Sequence, residues 1–254
     1  MRRSVAILSA GAVALILMGA AGRSVPRAAD AKIKALLITG DDVKPHPWKE
    51  TSAATKEILE ASGRFEVTVV EDLEILGKKD DLQKYDVVVY MRYNTKKEKG
   101  EPTPEGKQNL LDFVKGGKGF VVCHLASASF NNWEEWNKLC GRYWVMGKSG
   151  HGPRSVFKAN VVAKDHPITR GVEDFEVDDE LYAKLFGEEK IEVLVSAYSD
   201  WSKKTEPLMF ILSYGQGRVF HNAFGHDAKP IRTPAVAKLM VRGCEWAATG
   251  KVSD

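Results

Sequence analysis

Cysteine is scarce in this chain and follows no pattern. The three cysteines, Cys123, Cys140 and Cys244, are an odd number, which excludes a full disulfide framework, and their spacing matches no zinc motif. One bridge stays open. Cys123 falls in a short apolar run and Cys244 in the last apolar helical pattern, so both read as inert core thiols. No Gly-x-Gly-x-x-Gly or Walker loop follows the first strand pattern, so there is no nucleotide signature. Internal repeats and low-complexity linkers are also absent, which leaves no sign of a second folded domain. Nor is there a long block of one charge. Lys96-Lys97-Glu98-Lys99 is mixed in sign, lies beside Gly and Pro, and reads as a solvated loop.

The first residues stand apart in composition. Arg2-Arg3 precede an uncharged small-and-apolar run from Ser4 to Gly22, and Ala29-Asp30-Ala31 offers an A-x-A-like cleavage site. Residues 1–31 are therefore expected to be a secretory leader, with export to the periplasm or the outside. The rival is an uncleaved anchor, since the run approaches spanning length. The leader carries four arginines against Asp30, the whole +3 of the chain, so the remainder is near neutral. That argues against a nucleic-acid footprint, and no stable membrane insertion is expected once the leader is gone.

From Lys34 the chain alternates strand and helix patterns. Lys34–Thr39, Phe65–Val70, Tyr85–Met91 and Gly119–Cys123 read as strands, with a helix over about Lys49–Ala61 and another from Pro104, capped by Thr103 and stopped at Gly116-Gly117. Such alternation implies right-handed βαβ units and a parallel sheet. Further strands are expected at Val156–Ala163, Phe175–Tyr182 and Ile191–Ala197. Pro207–Leu212 and Arg218–Asn222 form a hairpin around Tyr214-Gly215-Gln216-Gly217, and a closing helix spans about Thr233–Ala248.

Chemistry is expected where the strands end, because ligands of open α/β sheets sit beyond the carboxyl ends. His124 ends the apolar run Gly119–Cys123 and is followed by small residues. Gly225-His226-Asp227 ends the second hairpin arm, and the two are expected to share a pocket, with Asp227 orienting the His226 ring or joining it on a metal. His46, His151 and Glu180 are expected on its rim. Asp178-Asp179-Glu180 would ordinarily be a solvated edge, but an apolar approach lets one of the three point inward. Imidazole and carboxylate supply acid–base pairs near neutral pH, or ligands for a divalent metal; no single metal is assigned. Trp133 and Trp136 read either as core or as pocket faces that stack on sugar C–H groups, with the core reading favoured for Trp136.

Several pieces together resemble the ThuA-like family, named for trehalose utilisation. They are Thr39-Gly40 with HPWKET (His46–Thr51), GKGFVVCHLASASFNNWEEWNKL (Gly117–Leu139), GHGP (Gly150–Pro153), DHPITRGVEDFEVDDELYAKL (Asp165–Leu185), AYSD (Ala197–Asp200) and EPLMFILSYGQGRVFHNAFGHD (Glu206–Asp227). The resemblance covers nearly all of residues 32–250 as a single domain. It implies a flavodoxin-like α/β fold related to class I glutamine amidotransferases: a parallel-core sheet, helices on both faces and a C-terminal β-hairpin extension. It also implies a role in carbohydrate catabolism on a disaccharide or its 3-keto derivative. Relatives with glutaminase activity put a nucleophilic cysteine on the turn after the central strand. Here His124 takes the turn and Cys123 falls one residue earlier, facing the opposite way, which argues against amidotransferase chemistry.

Three readings stay open, the last of them a purely structural accessory domain. The first is an exported carbohydrate-active enzyme, a hydrolase or isomerase, with His124, His226, Asp227 and Glu180 as catalytic groups and His46, Trp48, His151, Trp133 and Tyr182 on the substrate. The second is a non-catalytic sugar- or partner-binding domain on the same fold. The partner in either case is a small carbohydrate, and the sequence does not fix the oligomeric state.

Overall fold

The computed structural model describes residue 1 and residues 31–40, 43–44, 46–93 and 100–253. Residues 2–30 of the expected leader, the Asp41-Asp42 turn and the Lys96–Lys99 loop lie outside the described residues. The residues from Lys32 onward form one unit.

Strand β1 (Ile33–Ile38) leads into helix α1 (Trp48–Ala61), then β2 (Phe65–Val70), the short α2 (Lys79–Leu82), β3 (Val87–Tyr90), α3 (Pro104–Lys115) and β4 (Gly119–Cys123). A 3₁₀ turn, His124–Ala128, and helix α4 (Glu134–Cys140) follow. Next come β5 (Gly150–His151), β6 (Ser155–Val161), β7 (Phe175–Asp179) and β8 (Tyr182–Ala183). The chain ends with β9 (Glu192–Ser199), β10 (Lys204–Tyr214), β11 (Gly217–Asn222), α5 (Ala228–Ile231) and α6 (Pro234–Thr249).

Nine strands make one sheet in the order β2-β1-β3-β4-β11-β10-β9-β6-β7, while β5 and β8 pair as a separate ribbon. The first five neighbours are parallel, and their order is that of a flavodoxin-like sheet. All five residues of β4 are buried, because helices cover both of its faces, whereas the edge strand β2 alternates at its start. The expected hairpin is present and does more than extend the sheet. Its second arm, β11, pairs in parallel with β4 and is the fifth core strand; the extension is antiparallel and consists of β10, β9, β6 and β7.

Local chemistry accounts for the elements that frame the site. The Thr103 hydroxyl accepts the Gly106 N–H at 3.0 Å, Pro104 occupies the first helical position, and Leu110, Leu111, Phe113 and Val114 of α3 are buried. Helix α6 lies close against β4 and β11 at two glycines, one against backbone and one against a ring. A Cβ on Gly119 would stand 2.6 Å from the Ala247 carbonyl carbon, and one on Gly243 would stand 2.3 Å from the Phe220 ring. The three cysteines are free and buried, and no described helix is long and apolar enough to cross a membrane.

Candidate metal centre

Because β4 and β11 run parallel with Cys123 opposite Asn222, the residues that follow them, His124 and Ala223, leave the sheet side by side. His124 turns out of β4 with φ +45°, in the left-handed region that costs a side-chain-bearing residue about 1 kcal/mol or more. The turn faces its ring toward Ala223, whose carbonyl oxygen is 2.7 Å from Nδ1. A carbonyl can only accept, so Nδ1 carries the proton and Nε2 presents a lone pair. His151, on the β5–β8 ribbon, is fixed the same way: its Nδ1 is 2.6 Å from the Gly152 carbonyl oxygen.

Four of the chain's six histidines converge on one carboxylate. Glu180 Oε2 lies 3.5 Å from His46 Nε2 and 3.7 Å from His124 Nε2. Its Oε1 lies 3.1 Å from His226 Nδ1 and 3.5 Å from His151 Nε2. The donor atoms of His46, His124, Glu180 and His226 all fall within 4.8 Å of one another. Four atoms bound at about 2.1 Å to a tetrahedral ion stand about 3.4 Å apart, so the spacing around Glu180 suits an ion held among them.

Hydrogen bonding points the same way. His46 Nε2, His124 Nε2, His226 Nδ1 and Glu180 Oε2 are buried and have no hydrogen-bond partner. Each such orphan costs about 1–3 kcal/mol. Lone pairs of His124 and Glu180 facing one another are unfavourable unless a cation or protons lie between them. Burial would push the Glu180 carboxyl up, but the surrounding imidazoles outweigh it and hold it far below the usual carboxylate range. Burial lowers the pKa of His46, with His124 and His226 adding to the effect against the opposing pull of Glu180, so its ring favours the neutral form that a metal needs. The donors are imidazole and carboxylate without thiolate, a set for a first-row divalent cation rather than for calcium or magnesium, which take oxygen ligands.

A second layer holds these groups. Asp179 is fully buried, and its carboxylate accepts the N–H of Gly225 at 2.8 Å, of His226 at 3.2 Å and of Glu180 at 2.9 Å. Gly225 has φ +128°, and a Cβ there would stand 3.7 Å from His124 Cβ. The Tyr182 ring stacks on the His124 ring at 4.1 Å, with Trp144 packed against Tyr182 at 4.7 Å. Arg154 bridges Asp178, with Nε to Oδ1 at 3.0 Å, and Asp227.

The sequence candidates separate accordingly. His46, His124, Glu180 and His226 come together, with His151 beside them. Asp227 does not join them: Arg154 takes its carboxylate, which also accepts the Lys229 N–H at 2.8 Å to cap α5. Trp48 and Thr51 line, with His46 and His124, a small cavity of about 30 Å³, room for an occupant of about water size. Tyr182 is buried against His124 as a wall. Trp133 lines a different cavity. Asp179 and Trp144 were not singled out from sequence. The only signal for Asp179 was its place among three adjacent acids.

The family model for trehalose utilisation, ThuA, matches residues 34–247. Among solved structures, a ThuA-like protein from Parabacteroides merdae is 32% identical, with a TM-score of 0.76 over 88% of this chain and 92% of that one. A ThuA-like protein from Bacteroides uniformis is 17% identical, with a TM-score of 0.69 over 89% and 97%. A β-galactosidase from Rahnella, 16% identical with a TM-score of 0.56, shares the fold over 85% of this chain and 32% of its own. No curated protein matches. The chain belongs to the ThuA family.

Proposed function

We propose that this ThuA-family protein is an exported, metal-dependent enzyme of carbohydrate catabolism, a hydrolase or isomerase acting on a disaccharide or its 3-keto derivative. The family supports the carbohydrate role, and the Arg2-Arg3 leader pattern supports export. The observation that carries the metal is the convergence of orphaned lone pairs from His46, His124 and His226 on Glu180. A divalent ion at this site supplies polarisation of a sugar oxygen or of a bound water.

The chain's own residues do the rest. His124 and His226 are held in one orientation by the Ala223 carbonyl and by the Asp179 grip on the neighbouring backbone. His151 is the most exposed of the four imidazoles, at 32% of its side chain, and its Nε2 is left to take or give a proton at the mouth of the centre. The space of about 30 Å³ beside His46 and His124 is too small for a sugar ring, and the greater exposure of His151 favours approach from its side.

The test is metal analysis of the exported protein with turnover of trehalose and of its 3-keto form. One equivalent of a first-row divalent metal is expected, lost by His226→Ala and Glu180→Gln without loss of the fold, with turnover lost in parallel. Full metal retention in both variants refutes the centre. Metal and sugar binding without turnover favours the binding module instead.

A further inference from the structure

We propose that a second cavity, between α3 and the segment that follows the His124–Ala128 turn, is a saccharide subsite that holds one ring of the substrate. The proposal rests on the carbohydrate reading above and not on the metal. The cavity is about 210 Å³ and is lined by Glu101, Lys107, Phe130, Asn131, Asn132 and Trp133. That is below the roughly 300–1,000 Å³ of a pocket that engulfs a drug-sized molecule, and suits a single sugar ring.

Its place in the fold is that of a binding crevice. It lies beyond the carboxyl ends of the neighbouring parallel strands β3 and β4, where open α/β sheets take their ligands. His124 opens the 3₁₀ turn and Ala128, on the cavity wall, closes it. At about 2.0 Å per residue, the turn separates the two by about 8 Å. The cavity wall thus lies one short turn of backbone from His124 of the His/Glu centre.

Its lining is built and strained. Phe130 holds φ +50°, a conformation that an aromatic residue rarely adopts and that costs about 1–3 kcal/mol. The kink delivers Asn131, Asn132 and Trp133 to the cavity lining, and the Asn131 Oδ1 behind it is buried with no hydrogen-bond partner. The Trp133 ring is fixed by stacking on Trp136 at 5.9 Å, and the Lys107 ammonium stands 5.3 Å from its centroid.

The charge selects the ligand class. Lys107 is neutralised by Glu101 at 2.8 Å, so the cavity presents no net charge to draw a phosphate or carboxylate. What remains is an indole, two amides and a solvent-reached ion pair. An indole edge beside several donors and acceptors suits a neutral polyhydroxylated ring, whose C–H groups meet the apolar ring while its hydroxyls meet the ion pair and the exposed Asn132 amide.

The experiment is calorimetric titration of the full chain with trehalose, cellobiose and lactose, with metal content measured in parallel. At least one disaccharide is expected to bind saturably. Trp133→Ala and Asn131→Ala are each expected to weaken it about tenfold or more, with metal content unchanged. Asn131→Ala and Lys107→Met keep the test decisive if Trp133→Ala misfolds, since neither removes a core ring. Binding by none of the three sugars, or binding unchanged in Asn131→Ala and Lys107→Met, overturns the subsite. Metal-free wild type with binding that still depends on Asn131 refutes the metal centre and leaves the subsite standing.

Discussion

Asp179 accepts the backbone N–H of His226 at 3.2 Å from a fully buried position, while the next residue, Glu180, sends its carboxylate to the His226 ring. One pair of consecutive acids thus grips the same histidine by its backbone and by its side chain. The division of labour follows from alternation: neighbours at the end of a strand point to opposite sides.

Asp179→Asn replaces an acceptor of three N–H groups with an amide that can accept through one oxygen only. Loss of buried charge-assisted hydrogen bonds predicts a destabilisation of about 2–3 kcal/mol by urea titration. Because the His226 backbone is released, metal affinity is expected to fall about 10–100-fold in the fraction that folds. An Asn variant with wild-type metal affinity contradicts the positioning role.

Chelation should lower the thermal midpoint of the wild type and not that of His226→Ala. An ion that binds only the folded state at 100 times its dissociation constant adds about 2.7 kcal/mol. Differential scanning calorimetry with and without a chelator reads this directly. Equal midpoints in the wild type with and without chelator would falsify the linkage.

Burial lowers the His221 pKa from 6.5 to about 4, and its Nδ1 meets the Cys140 carbonyl oxygen at 3.0 Å. The folded pKa lies below the unfolded one, so the unfolded chain binds the proton first. Stability is intact above about pH 6.5, falls as pH drops toward 4, and is flat below that with respect to this group. His221→Gln should flatten the urea midpoint between pH 6.5 and 4, and a variant with the wild-type slope there counts against the assignment.

Burial pushes the Cys123 thiol well up, and the residue packs in the core. Labelling by a thiol reagent should therefore wait on unfolding. Cys123→Ala should keep metal binding and cost about 1 kcal/mol. Rapid labelling of folded protein with loss of function would reinstate nucleophilic chemistry.

Local signals made much of the fold legible. The Thr103-Pro104 start of α3, the unbroken apolar run of β4 and the Tyr214–Gly217 turn are decided by neighbours a few residues away, and the structure keeps all three. The role of β11 was not legible, because its parallel partner β4 lies about a hundred residues earlier and no local period encodes that pairing. The same limit applies to the site. His124 and His226 could be picked out at strand ends. Which of Asp178, Asp179 and Glu180 turns inward depends on the register of β7 against β6, with Asp178 opposite Val156 and Asp179 opposite Ser155. The Ala223 carbonyl that fixes the His124 tautomer is a backbone group, invisible to side-chain patterns.

Glu180 follows β7, the last strand in the order of the large sheet, whereas His46 follows β1, the second. Seven positions of lateral pairing separate the strands from which these two ligands come, so the connections after them carry the ligands across the top of the sheet to one carboxylate. Sheet rims are where pairing is incomplete and where local opening tends to begin. Whatever occupies the centre acts as a clasp between rim and interior. Occupancy and the order of the far strands then become a single variable: loosening the antiparallel extension weakens the grip, and filling the centre quiets a strand that carries only one of its ligands.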